Sequence, residues 1–219
     1  DHPGHGRSKG QRGYVRSFPH FTNDLRAFLK LVSIHEEKKP IYLFGHSLGG
    51  LISLRYVMEC ANRSGVLPVA LMVSTPTLKI AVKVPRWKEM LSALFSKIIP
   101  RLALYNELDL TNLSHDPQVV IDVRQDELCH QRATLRLYRE VVSTIQMVEE
   151  GKEDIHLPLL MLIGGEDHIS YPQGGKDFFQ ALDIPQKKMN VYPSFFHELH
   201  HEIGKEEVFR DMKRWMEAL

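Results

Sequence analysis

The chain has 219 residues, 43% hydrophobic and 25% charged, the make-up of an ordinary globular domain with enough apolar residues for a core. Its 28 basic and 27 acidic residues leave a formal charge of +1 with no long run of one sign, which excludes a nucleic-acid partner. Cys60 and Cys129 are too few for a disulfide framework and form no C-x-x-C pair, so a reducing, cytoplasmic setting is expected. No stretch approaches the ~18 apolar residues of a membrane span, and no charged-then-apolar leader opens the chain, which begins inside a Gly-rich loop at residues 1–8. That opening predicts a fragment whose upstream part is missing.

In chain order, Phe21, Leu25, Phe28, Leu29 and Val32 recur at helical spacing, and residues 41–44 form a short apolar run ending at Gly45. Leu51, Leu54, Tyr56 and Val57 predict the next helix, and residues 67–74 a second strand. From about 75 to 155 no strand is expected, an interval too long for an ordinary connection, and it reads as an inserted helical cap. Within it Trp87, Met90, Leu91, Leu94, Phe95 and Ile98 share one helical face, with Lys83, Arg86 and Lys88 nearby, while Leu137, Val141, Ile145 and Val148 form a stripe that returns the chain to the core. Residues 157–163 and 189–192 predict two more strands, and Val208, Met212 and Trp215 a last helix. Strand and helix alternate, so the expected fold class is α/β, a mostly parallel sheet with helices on both faces. The expected division is a first core part over 1–75, cap and return helix over 76–155, and a second core part over 156–219.

Gly45-His46-Ser47-Leu48-Gly49 fits G-x-S-x-G, a sharp strand-to-helix turn that exposes a serine hydroxyl. The three fixed positions alone would arise in roughly 5 to 10% of chains this long. Here the strand over 41–44 and the helical segment over 50–60 supply the context the turn requires. The helix that opens there aims its positive end and the Leu48 backbone N–H at charge developing on a substrate oxygen.

A serine hydroxyl is a weak nucleophile, so it needs a histidine to take its proton and a carboxylate to fix that histidine's tautomer, in the chain order Ser, Asp or Glu, His. After the strand over 157–163 come Gly164, Gly165, Glu166 and Asp167, and Asp167 is the expected acid, with Glu166 one position away as a competitor. After the strand over 189–192 come Pro193, Ser194, Phe195, Phe196 and His197, and His197 is the expected base among 12 histidines, with His200 and His201 close by. The same segment, His197-Glu198-Leu199-His200-His201, also satisfies H-E-x-x-H, a zinc-hydrolase pattern. That reading needs a regular helix and a third ligand, for which Glu206 and Glu207 are the downstream candidates, and Pro193 and Gly204 bracket the segment closely. No metal is therefore assigned.

Four motifs in order, residues 1–8 (Asp-His-Pro-Gly-His-Gly-Arg-Ser), Gly45 to Gly50, Gly164 to Asp167 and Phe196 to Glu202, resemble the monoacylglycerol lipase and lysophospholipase branch of the α/β-hydrolases, often labelled serine aminopeptidase-like. The resemblance covers nearly the whole chain. It implies Ser47 as nucleophile, Asp167 as acid, His197 as base, and esterase chemistry on acyl glycerols or lysophospholipids with no cofactor. It also implies that roughly the first four strands lie upstream of residue 1, together with a loop that supplies a second oxyanion N–H beside that of Leu48. Trp87, Leu91, Leu94 and Phe95 are then expected to line an acyl-chain site, and the basic amphipathic face to touch a membrane surface peripherally. Peptidase, acyltransferase and non-catalytic binding readings of the same fold stay open, and the sequence gives no oligomeric state.

Overall fold

Side chains along a strand alternate between its two faces, so a strand covered on both sides must be apolar at every position. The computed structural model, which describes residues 1–36, 39–62, 65–80, 95–96, 98–106 and 108–219, has two such strands at its centre. In chain order the elements are Pro19–His35 (α1), Tyr42–His46 (β1), Leu48–Asn62 (α2), Ala70–Ser74 (β2), Ala103–Tyr105 (β3), Pro117–Gln125 (α3), Arg132–Thr134 (β4), Leu135–Glu150 (α4), Leu159–Gly164 (β5), Pro172–Ala181 (α5), Lys187–Tyr192 (β6) and Glu206–Glu217 (α6). Four strands make a parallel sheet in the order β1-β2-β5-β6, with Tyr42 opposite Ala70, Leu71 opposite Leu159, and Leu159 opposite Lys187.

On β2, Leu71 and Val73 enter one core while Ala70 and Met72 enter another. On β5, Leu159, Met161 and Ile163 alternate in the same way with Leu160 and Leu162. The first core is closed by Phe21 and Leu29 of α1, Leu51 and Leu54 of α2, Val141 and Val148 of α4 and Phe178 of α5. The second is closed by Val208 and Trp215 of α6. Each fully buried Leu or Phe contributes about 1.5–3 kcal/mol, so these two layers dominate stability. Among the described residues β1 pairs with β2 alone, and its burial differs: Leu43 is buried, but Phe44 is 40% exposed.

The interval 75–155, expected to hold no strand, contains β3 and β4, which pair antiparallel with Ala103 opposite Thr134 and Tyr105 opposite Arg132. Three residues per strand are too few to display a period of two, and the ladder is extended by backbone groups that carry no sequence signal. Asn106 N–H donates to the Gln131 carbonyl, and Thr134 N–H to the Gly13 carbonyl. Thr134 also caps α4, its Oγ1 accepting from Leu137 N–H at 3.2 Å while donating to the Gly13 carbonyl at 2.8 Å. The N-terminal loop, the small sheet and α4 are thereby tied together.

Candidate active site

Ser47 sits where β1 turns into α2, with φ at 51°, a left-handed conformation that costs a non-glycine residue on the order of 1–2 kcal/mol. The turn is held from both sides: Ser47 N–H donates to the Ser74 carbonyl at 2.9 Å, and the Ser47 carbonyl accepts from Gly50 N–H at 3.0 Å and Thr77 N–H at 3.1 Å. A Cβ at Gly45 would lie 2.4 Å from the Gly49 carbonyl oxygen, so the strand and helix can meet this closely only at glycine. Leu48 opens α2, which leaves its backbone N–H at the helix's positive end.

The acid and base loops cross at Gly164 and Gly165, where added Cβ atoms would lie 2.2 Å from the carbonyl oxygens of Phe196 and Pro193 respectively. That crossing brings Asp167 against His197. Asp167 Oδ2 is 2.8 Å from His197 Nδ1, and His197 Nε2 is 2.9 Å from Ser47 Oγ. A carboxylate only accepts, so Nδ1 carries the ring proton and Nε2 is left to accept from the serine hydroxyl. Asp167 Oδ1 accepts from Ile169 N–H at 2.8 Å and Ser170 N–H at 2.9 Å, which fixes the carboxylate's orientation. Asp167 and His197 are buried, at 4% and 3% exposure, while Ser47 is partly accessible. Of the competitors, Glu166 is exposed to solvent, and His200 and His201 lie outside this relay.

Several residues that sequence reasoning passed over hold the histidine loop. Thr75, itself at φ 40°, donates its hydroxyl to the His197 carbonyl at 2.9 Å. Glu198 N–H donates to the Leu113 carbonyl at 2.8 Å, and Ser114 Oγ donates to that of His201 at 3.0 Å. Glu202 is buried and accepts from Phe196 N–H at 2.8 Å, His115 N–H at 3.1 Å and Ile203 N–H at 3.1 Å, with His115 Nδ1 at 2.9 Å. Burial alone would raise the Glu202 pKa, but the hydrogen bonds from Phe196 and His115 outweigh it and hold the carboxyl below its ordinary range. The His115 ring stacks on Phe196, centroids 3.7 Å apart. A piece of the insert thus clamps the loop that carries His197. Glu202 was visible only as the last residue of a motif.

A row of imidazoles flanks the site. The His46 ring lies 4.9 Å from that of His197 and 4.7 Å from that of His200. Desolvation, reinforced by His197 and His200, holds His46 well below the usual imidazole range, and desolvation with His201 nearby lowers His200. For the zinc pattern, Leu199–His201 is a single helical turn, and both ring nitrogens of His197 are engaged by Asp167 and Ser47. Of the residues expected to line an acyl site, Trp87, Leu91 and Leu94 lie outside the described residues, as do Met90, Lys83, Arg86 and Lys88; Phe95 is described and 40% exposed.

This arrangement can be set beside known proteins. A family model described as serine aminopeptidase, S33, matches residues 1–204. An abhydrolase domain-containing protein of Dictyostelium discoideum is 27% identical over 99% of the chain, which spans only 22% of that protein's length. The phospholipase YtpA of Bacillus subtilis is 25% identical over 96% of the chain and 80% of its own. The crystal structure of a monoacylglycerol lipase from Paleococcus ferrophilus superposes with a TM-score of 0.88 at 29% identity, covering 98% of this chain and 80% of that one. The chain has the α/β-hydrolase fold and belongs to the serine aminopeptidase S33 family of hydrolases.

Proposed function

We propose that this protein hydrolyses carboxylic esters of lipids, monoacylglycerols or lysophospholipids, through an acyl-enzyme on Ser47. The observation that carries the reading is the unbroken relay from Asp167 through His197 to the Ser47 hydroxyl, at 2.8 and 2.9 Å. His197 Nε2 takes the hydroxyl proton as Ser47 Oγ attacks the ester carbonyl, and the Leu48 N–H donates to the developing oxyanion. His197 then protonates the departing alcohol. Water enters, gives its proton to His197 and releases the fatty acid, and the proton returns to Ser47. Asp167 holds the imidazole in the required tautomer and stabilises its charged form.

The lipid substrate is supported by the similarity to the phospholipase and the monoacylglycerol lipase, and by the apolar character of the insert. Phe95, Ile98, Ile99, Leu102 and Leu104 follow one another closely and are 40 to 64% exposed. Such a run suits an acyl chain or the surface of a lipid aggregate, and among the described residues no helix is long and apolar enough to cross a membrane. Peripheral contact through this face is part of the proposal.

The test is mass spectrometry of the full-length protein after reaction with a fluorophosphonate. A phosphonate adduct on Ser47, absent from Ser47→Ala, together with fatty-acid release from a monoacylglycerol, is the expected result. An unlabelled Ser47 in folded protein would remove the proposal.

A further inference from the structure

The segment read as H-E-x-x-H offers metal-binding side chains that the serine relay leaves unused. Glu198, His200 and His201 each present a ligand atom, and the three atoms lie within 4.8 Å of one another. Glu198 Oε2 and His201 Nδ1 are 2.5 Å apart. The His200 Nδ1 is buried without a hydrogen-bond partner among the described residues, an unfavourable state for a polar atom unless something satisfies it. His201 is 51% exposed at its side chain and Glu198 18%, so an ion has a way in.

We propose that Glu198, His200 and His201 form a binding site for a divalent transition-metal ion of the zinc type, and that its occupation slows the reaction of Ser47. Two imidazoles and one carboxylate are the ligand set of many three-ligand zinc sites, and imidazole selects zinc, copper or nickel over calcium and magnesium. Metal–ligand bonds of about 2.0–2.2 Å set any two donors on one ion roughly 3.3–3.6 Å apart, so Glu198 Oε2 and His201 Nδ1, at 2.5 Å, must separate to admit it. The rearrangement falls on a single helical turn, Leu199–His201, whose first flanking residue, Glu198, follows His197 directly. His200 also packs edge-on against His46, which lies beside His197. Rearranging this turn therefore displaces the base relative to Ser47, where an ångström costs on the order of a hundredfold in rate. This set differs from the zinc-hydrolase reading, since His197 stays with the serine.

The effect on rate rests on the serine-hydrolase reading, whereas the binding does not. The experiment is calorimetric titration of the full-length protein with Zn²⁺, with the visible spectrum of the Co²⁺ form as a second probe. Both are repeated on His201→Gln and Glu198→Gln, and fluorophosphonate labelling of Ser47 is timed with and without Zn²⁺. We expect one equivalent bound by the parent and at least about tenfold weaker binding in each variant, the loss typical of disturbing even an outer partner of a metal ligand. Labelling should slow at least tenfold with Zn²⁺ in the parent, recover on chelation, and be insensitive to Zn²⁺ in His201→Gln. Absence of saturable binding, or equal affinity in parent and variants, would overturn the site. Slowing that persists in His201→Gln would place the ion on His197 instead, and binding without slowing would overturn the coupling. Failure of labelling in metal-free parent would count against the hydrolase reading alone, leaving the titration to decide the metal site.

Discussion

Ser47 and His197 reach the same point in different ways. Ser47 is set by its own strand–turn–helix unit and the adjacent strand β2, through the Ser74 carbonyl and the Gly50 and Thr77 N–H groups. His197 is set by groups far away in sequence: Thr75, 122 positions off, holds its carbonyl, and Glu202 locks the same loop to His115, 87 positions off. The nucleophile's place is thus part of the sheet's packing, whereas the base's place depends on the insert folding back onto the sheet's edge. Injury to the insert should reach the base before it reaches the nucleophile.

Removing the hydroxyl should have the largest effect. Ser47→Ala should lower kcat on a monoacylglycerol by roughly 10^4- to 10^6-fold with the thermal midpoint almost unchanged, because the packing that places residue 47 is left alone. A variant that keeps appreciable turnover would break the comparison at its root. Asp167→Asn should follow at roughly 10^4-fold, since an amide can leave the imidazole in the wrong tautomer; near-parental kcat there would mean that Asp167 does not orient His197. Glu202→Gln should come next, costing up to about a hundredfold in kcat with little change in KM and on the order of 2 kcal/mol in stability by denaturant titration. The Glu202 carboxyl is held below its ordinary range in the folded protein, so its contribution is present above the unfolded carboxyl's pKa and is lost as pH falls through the folded one. Parent and Glu202→Gln should therefore converge in stability in acid. If Glu202→Gln lost stability but kept kcat, the clamp would serve the fold and not the base.

The same contrast decides what could be read in the sequence. Strands β2 and β5 stood out because both their faces are buried, which leaves an unbroken apolar run. The turn at Ser47 and the loops carrying Asp167 and His197 were legible as positions because they follow strand ends within a few residues, a local rule. The structure brings those three side chains into hydrogen-bond contact. The clamp was not legible, because Thr75 and Glu202 act on backbone groups that any residue could provide. Nor was α5, where Gly174 and Gly175 interrupt the helical pattern, nor β3 and β4, whose pairing is a matter of three residues and a borrowed carbonyl from Gly13. Long-range polar contacts leave no period, and it is these that join insert to core.

His46 belongs to both regions, in sequence beside Ser47 and in space between His197 and His200. Its Nδ1 lies 3.3 Å from the Thr75 hydroxyl, and it is held well below the usual imidazole range by desolvation and by the neighbouring imidazoles. A histidine with a lowered folded pKa binds fewer protons in the folded state than in the unfolded one. Stability is then intact above the unfolded value of about 6.5 and falls as pH drops below it, by at most about 1.4 kcal/mol per pH unit for one group. His5 and His200 are shifted in the same direction and add to the slope, while Glu202 enters only at lower pH, in the carboxylate range. Denaturant titrations between about pH 6.5 and 5 should therefore show the parent weakening, and His46→Gln, which cannot take the proton, weakening less steeply. An unchanged slope in His46→Gln would assign the acid sensitivity to His5 and His200, and would remove His46 from the electrostatic link between the elbow and the histidine loop.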